Sequence, residues 1–377
     1  MKKRLLVQDF IEQHPDDWEK LLAEKPYCII VSRDEFNGKK LIMLKYSQVD
    51  SDFNIKLVRE CRGLILDEDT LEPVSVPFFK FGNVGESYCP EIDWKSASIL
   101  QKVDGSLIKI VLIGDDLLIS TNGTILADKA PVAEQIGCKY KSFGEIVREI
   151  LDKKLMIPHD FEDGKTYMFE LVSPWTRVVV PHQQNDLYFL GERDNAAFQE
   201  KLPWEDKYIA SFFKTPEKFN LHSIDECLEA TKKMPWNEEG YVVVDKDFNR
   251  VKVKSPAYVA AHNLRGNGVL SYSRALELVR LNEIDEVCAY FEDFRPTLEE
   301  CKARFWKLVE DSENAWNEYL KVDSSLQTRK DKALWITKNF KIPGLAFGLL
   351  DKKIASIRDF FMDISIEKLL HYLGYKE

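Results

Sequence analysis

A change of hydrophobic period near residue 265 constrains the fold of this chain more than any other feature. Before it, apolar residues come in short runs that alternate with polar ones, the signature of strands. The pattern predicts strands over 27–33, 40–46, 64–67, 98–101, 108–113, 117–121, 167–172, 187–191, 241–245 and 250–254. Helices are expected at 9–13 and 15–23, with a helical insert at 143–153. Arg265-Gly266-Asn267-Gly268 is the clearest break. Beyond it the spacing turns helical, over 273–291, 297–320, 328–340, 350–361 and 365–373, with Pro296 and Ile342-Pro343-Gly344 as breaks. The expected fold class is α+β: a mostly antiparallel β domain with peripheral helices over 1–262, then an all-α domain over 263–377.

Within the strand-rich part, Lys102-Val103-Asp104-Gly105-Ser106-Leu107 suits a lysine nucleophile. An amine attacks phosphorus only when unprotonated, and its reference pKa is ~10.4. A strand must therefore deliver it to a rigid turn in a pocket where other cations oppose its protonation. Residues 98–101 form such a strand, and Asp-Gly is a turn signal. Alone, the pattern equally describes a surface hairpin with a solvated lysine.

Its companions decide the matter. Glu60-Cys61-Arg62-Gly63 leads into an apolar strand, and Phe79-Lys80-Phe81-Gly82 sets a lysine among aromatics. Glu170 is a single carboxylate in the apolar run Tyr167–Val172, costly to bury unless it receives donors such as ribose hydroxyls. Glu239-Gly240-Tyr241-Val242 places a carboxylate and a glycine at the mouth of another strand. Lys252 and Lys254 share one strand face by period two, where two ammonium groups call for an anion between them.

As an ordered set, with Phe169-Glu170-Leu171-Val172-Ser173-Pro174, Arg177-Val178-Val179, Lys252-Val253-Lys254-Ser255 and Tyr258-Val259, these motifs resemble the bacteriophage RNA ligase 1 family. That family, of the T-even phage tRNA-repair type, lies within the covalent nucleotidyltransferase superfamily. The resemblance is dense over 1–260 and implies a nucleotidyltransferase domain there. It implies Lys102 as the adenylated nucleophile, Glu170 on the ribose and Glu239 near a catalytic metal. It implies Lys252 and Lys254 on the α-phosphate, Arg62 and Lys80 on the phosphate tail, and Gln101, Gly105 and Tyr258 in the ATP pocket. ATP and Mg²⁺, with Mn²⁺ as a substitute, are the implied cofactors. RNA with 5′-phosphate and 3′-hydroxyl ends, such as a nicked tRNA, is the implied substrate, with a polynucleotide kinase–phosphatase as functional partner. Two departures stand out. The family usually has two aromatics after the lysine where this chain has Phe81-Gly82, and a basic residue near the Gly123 turn where this chain has Asn122.

The 377 residues suffice for two cores, and no run approaches the ~20 apolar residues of a membrane span. Seven cysteines without a C-x-x-C pair argue against a disulfide framework or a zinc site and fit a reducing cytoplasm; a monomer is expected. The net charge of −10 is uneven: residues 1–260 hold 35 Lys and Arg against 44 Asp and Glu, the remainder 18 against 19. RNA contact is therefore expected from a local basic cluster, with Arg329, Lys330 and Lys332 at its centre and Lys338 and Lys341 beyond. DNA ligases and GTP-dependent capping enzymes are the alternative readings, since Arg329-Lys330-Asp331-Lys332 matches their R-x-D-K motif. Its surroundings read as helix instead of the small barrel those enzymes carry. A non-catalytic RNA-binding module would have no need of Lys102, Glu239, Lys252 and Lys254 together.

Overall fold

The computed structural model describes residues 3–133, 137–265 and 270–375. The expected break at Gly266-Asn267-Gly268 lies outside the described residues. The chain divides into two compact units, Met1–His262 and Asn263–Glu377.

In the first unit, α1 (Leu6–Gln13) and α2 (Trp18–Ala23) precede β1 (Ile29–Phe36) and β2 (Lys39–Tyr46). A short α3 (Lys56–Glu60) leads to β3 (Arg62–Asp67) and β4 (Pro73–Ser75). Then follow β5 (Ser98–Gln101), β6 (Ser106–Ile113), β7 (Asp116–Thr121), α4 (Phe143–Lys153), β8 (Lys165–Val172), β9 (Asp186–Asp194) and β10 (Glu200–Lys201). The unit closes with α5 (Lys207–Phe212), β11 (Lys218–Phe219), α6 (Ile224–Thr231), β12 (Gly240–Val244), β13 (Arg250–Lys254) and α7 (Pro256–Arg265).

These strands build three antiparallel sheets, ordered β1-β2-β3-β4, β10-β9-β8-β6-β7 and β11-β5-β12-β13. The β6 strand is buried along nearly its whole length because both faces are covered. Val111 and Ile113 meet Leu41, Met43 and Ile65 of the first sheet. Ile108, Ile110 and Leu112 meet Ile146, Val147 and Ile150 of α4. The α4 helix starts where the Ser142 hydroxyl accepts from the Glu145 amide at 3.2 Å. In the third sheet Ile99, Tyr241, Val243, Val251 and Val253 pack on Cys227 of α6. Alternation then turns Leu100, Val242 and Lys252 to the opposite face, toward the second sheet.

This topology decides the nucleophile loop. Its two flanking strands do not pair: β5 belongs to the third sheet and β6 to the second. Residues 102–105 cross from one sheet to the other, so a hairpin turn is excluded. A buried ion network also spans these two sheets, with Glu200 on β10 held between Arg193 of β9 and Arg250 of β13.

The second unit is helical: α8 (Tyr272–Leu281), α9 (Ile284–Tyr290), α10 (Arg295–Val322), α11 (Arg329–Asn339), α12 (Pro343–Leu350), α13 (Ile357–Asp363) and α14 (Ile366–Leu373). The long α10 is its spine, burying Leu298, Cys301, Phe305, Leu308, Val309 and Tyr319 against α8, α11, α13 and α14. Two helices expected as continuous are each two elements. The 273–291 span breaks at Asn282, whose φ of 57° gives α8 a left-handed cap. The 350–361 span splits because α12, which begins earlier with Pro343 in its first turn, ends at Leu350, and α13 starts only at Ile357, where the Ser356 hydroxyl accepts from the Asp359 amide. Pro296 likewise sits inside the first turn of α10 instead of breaking it. Arg329-Lys330-Asp331-Lys332 opens α11, where Asp331 and Thr328 cap each other's amides at 3.1 Å. No helix among the described residues is long and apolar enough to cross a membrane.

Candidate active site

Gly105 lets the nucleophile loop lie against β8. A Cβ there would stand 2.3 Å from the Leu171 carbonyl oxygen and 3.0 Å from Glu170 Cγ. Close approach, not a left-handed backbone, demands this glycine. Asp104 is buried and anchors the loop to two distant segments. Its Oδ2 accepts from the Val179 and Val180 amides at 2.9 and 2.6 Å, and its Oδ1 from the Tyr258 hydroxyl at 2.7 Å. His182 Nε2 meets the Asp104 carbonyl at 2.7 Å. Tyr258 is fully buried behind the loop, where its hydroxyl holds Asp104 and the Lys254 ammonium lies 5.5 Å from its ring centroid.

Lys102 lies beside Glu239, Nζ to Oε2 2.8 Å, while Lys254 reaches Oε1 of the same carboxylate at 3.3 Å. Burial pushes the Lys102 pKa down, but Glu239, followed by Glu170 and Asp104, more than offsets this, and the net shift is upward. The expected role of neighbouring cations in keeping this amine unprotonated is therefore not met in the protein alone. Those cations depress Lys252 instead: burial, then Arg62, Lys102, Lys80 and Lys254, bring it to about 6. Lys80 falls to about 8 through burial, Arg62 and Lys254, with its ammonium over the rings of Phe53 and Tyr46. Arg62 lies over the Phe81 ring at 5.3 Å, and its buried Nη1 has no hydrogen-bond partner among the described residues. Glu170 is raised to about 7, chiefly by burial. The site thus gathers cations at mutual cost, an arrangement that a polyanion relieves.

Two cavities meet at Gln101-Lys102-Val103. One, of about 120 Å³, lies between the second and third sheets. Leu100, Leu107, Leu190 and Val242 supply apolar walls, and Arg62, Glu170 and Lys252 the charge. The other, of about 300 Å³, lies beside the nucleophile loop and includes Tyr188, His182, Phe219, Met234 and Glu239. Asp104, His182, Tyr188, Phe219 and Met234 join the site without being expected there from sequence. Only Asp104 carried a signal, as the third letter of its motif; the others come from elements whose meeting no local pattern announces. A buried lysine was missed as well. Lys109 of β6 donates to the Gly63 carbonyl, and burial, then Arg62, lowers it to about 7.

The two departures from the family pattern have local causes. At Gly82 a Cβ would lie 2.4 Å from Glu86 Oε2 and 2.9 Å from the Tyr88 ring, so an aromatic from further along the chain covers that place. Beside Asn122, the Lys45 ammonium reaches 3.2 Å from a Cβ placed on Gly123, and Lys45 pairs with Arg62 across β2 and β3.

A divalent ion needs oxygen ligands, and no cluster of three or more His, Cys, Asp or Glu side chains suits one among the described residues. Both Glu239 oxygens face lysines. The donor set fits an ion held by one carboxylate and completed by substrate phosphates, the usual habit of Mg²⁺.

A family model described as RNA ligase matches residues 60–258, from the lead into β3 to Tyr258. The "Putative bifunctional polynucleotide kinase/RNA ligase" of Autographa californica nuclear polyhedrosis virus is 28% identical over 286 residues, 68% of this chain and 38% of that protein. The "Putative RNA ligase" of Thermovibrio ammonificans is 28% identical over 56% of this chain and 54% of its own length. The RNA ligase of Rhodothermus phage RM378 is 24% identical over 66% of this chain and 70% of its own. This chain thus spans from about two fifths to just over half of the first two relatives. Among solved structures, an archaeal ATP-dependent RNA ligase aligns over 80% of this chain and 74% of its own, at 13% identity and a TM-score of 0.41. The family match covers more than half of the sequence and takes in the lysine loop, both strand carboxylates and the Lys252–Lys254 strand, and by it the chain belongs to the RNA ligase family.

Proposed function

We propose that this protein is an ATP-dependent RNA ligase that joins 5′-phosphate and 3′-hydroxyl ends through lysyl-AMP and adenylated RNA. The observation that carries this reading is Lys102 paired to Glu239 at the edge of a pocket lined by Arg62, Glu170 and Lys252. In the first step Lys102 Nζ bonds to the α-phosphorus of ATP, the bond to pyrophosphate breaks, and the amine gives up its proton. In the second, a 5′-phosphate oxygen of RNA bonds to that phosphorus and the lysine leaves. In the third, a 3′-hydroxyl bonds to the RNA phosphorus and AMP departs.

Arg62 and Lys80 take the β- and γ-phosphates. Lys252 and Lys254 hold the α-phosphate as fixed cations, the electrostatic part of catalysis. Gln101 and Gly105 shape the loop, and Glu170 accepts from the ribose hydroxyls. Glu239 is the carboxylate that would hold Mg²⁺ or Mn²⁺; such an ion offsets phosphate charge and competes with both lysines for that carboxylate. The Met1–His262 unit serves as the adenylyltransferase domain, and the helical unit contacts RNA.

That contact divides the expected basic cluster. Arg329 pairs with Asp351 at 2.9 Å and Lys332 with Asp323 at 2.7 Å. Lys330 and Lys338 are exposed on one face of α11 and have no partner among the described residues. With Lys341, exposed just beyond the helix, they are the cations of that cluster left to meet RNA phosphates. The baculovirus relative's name joins a kinase to a ligase. A kinase–phosphatase that leaves 5′-phosphate and 3′-hydroxyl ends, as in nicked tRNA, is the corresponding partner activity here.

Incubation with ATP and Mg²⁺ should add one AMP by intact mass, stable in alkali and lost in acid, and absent from Lys102→Ala. An adduct that survives in this variant overturns the assignment. A GMP adduct formed equally well from GTP would favour the capping reading.

A further inference from the structure

We infer that the second cavity beside Lys102 receives the terminal nucleotide of the 3′-hydroxyl RNA end, on the far side of the nucleophile from ATP. The inference rests on the ligase reading above and adds where the second RNA end sits. In the sealing step the 3′-hydroxyl must reach the RNA 5′-phosphorus that carries the AMP, opposite the departing AMP, and two chambers meet at the lysine from which that AMP came.

Charge assigns the occupants. The inter-sheet chamber holds Arg62 and Lys252 together with Glu170, so it suits a ribose and a phosphate chain. In the second chamber Lys102 is the one lysine or arginine among the lining residues, and Glu217, Glu238 and Glu239 face it. A triphosphate or a 5′-phosphate end would be repelled there, whereas a terminal nucleoside with a free 3′-hydroxyl brings no extra charge to its end. The walls suit a base. Tyr188 and Phe219 offer aromatic surface, Met234 fills space between, and Asn237 supplies donors and an acceptor for a base edge.

His182 gives the chamber an orientation relative to the chemistry. Its Nε2 donates to the carbonyl of Asp104, two residues from the nucleophile, and that tautomer leaves Nδ1 as an acceptor for a ribose hydroxyl. The terminal ribose is thereby directed toward the Lys102 side, where its 3′-oxygen must attack. Recognition of this kind reads the base face and the sugar, and tolerates any of the four bases.

The test separates the steps in the full chain. Tyr188→Ala and, as a filling variant, Met234→Trp are compared with wild type for lysyl-AMP formation from ATP and for sealing of pre-adenylated RNA. A 3′-terminal 2-aminopurine reports stacking by loss of fluorescence. The expected result is a KM for the 3′-hydroxyl RNA raised by about 5- to 100-fold, weaker quenching, and an ATP KM within about twofold of wild type. A raised ATP KM with unchanged RNA sealing would make this chamber the seat of the adenine base and overturn the proposal. So would variants that alter neither. If wild type forms no lysyl-AMP, the ligase reading fails, while quenching of the terminal base still judges the chamber by itself.

Discussion

Binding of ATP should draw protons onto this protein, and Lys252 should account for most of them. Lys252 stands at about 6 and Lys80 at about 8 in the protein without nucleotide. At pH 7.5 those values mean that roughly 3% of Lys252 and roughly 75% of Lys80 carry a proton. A polyphosphate beside them restores both ammonium groups, an uptake of roughly 1.2 protons, about one of them on Lys252. Calorimetry with a non-cleavable ATP analogue, in buffers of different ionisation enthalpy, reads this number. Comparison with Lys252→Met cancels the nucleotide's own ionisation, so the difference between the two proteins should be near one proton. The sign extends to folding. Lys252 binds fewer protons folded than unfolded between about pH 6 and the unfolded ~10.4, so this group adds stability as pH rises through that window. Its penalty is fully in force below about pH 6, and Lys252→Met should flatten the rise. Equal proton uptake by both proteins would refute the argument that Lys252 is held neutral for an incoming phosphate.

Other perturbations test the frame around that pocket. Gly105→Ala places a Cβ 2.3 Å from the Leu171 carbonyl. Overpacking of this kind costs about 1–3 kcal/mol, and lysyl-AMP formation should fall at least tenfold with the far-ultraviolet spectrum unchanged. Tyr258→Phe removes the donor to Asp104 Oδ1 at 2.7 Å. Leaving that buried acceptor short costs about 1–3 kcal/mol, read as a lower melting temperature with an unchanged ATP KM; an altered KM alone would mean that the Tyr258 hydroxyl meets ATP directly. In the helical unit, neutralising Lys330 and Lys338 together should flatten the salt dependence of RNA binding more than neutralising Arg329 and Lys332, which already pair with Asp351 and Asp323. The reverse order would put the RNA track on the paired side.

Local pattern and chemistry went far in this chain. Period-two alternation delivered β13 with Lys252 and Lys254 on one face, and the apolar run ending at Gln101 delivered β5. The 143–153 insert is α4 to the residue because a serine cap and an amphipathic face mark both its start and its period. Helix ends in the second unit were harder. Asn282 takes a left-handed cap and Pro343 starts a helix, and neither residue type declares by itself whether it opens, closes or interrupts one.

What the sequence determined by itself was the inventory: which strand carries the lysine, which carry the carboxylates, and which family the ordered set belongs to. The tertiary structure decided how those charges act on one another. The antiparallel pairing of β5 with β12 brings Lys102 against Glu239, 137 residues away, and so raises the pKa of an amine that local reasoning expected to be lowered. Backbone hydrogen bonds of Gly82 and Val84 to Lys252 on β13 set it near Arg62 and Lys80, where burial and like charge lower it instead. The physical reason is that proton affinity follows distance and burial, and both are properties of the packed sheets, not of the residue's neighbours along the chain.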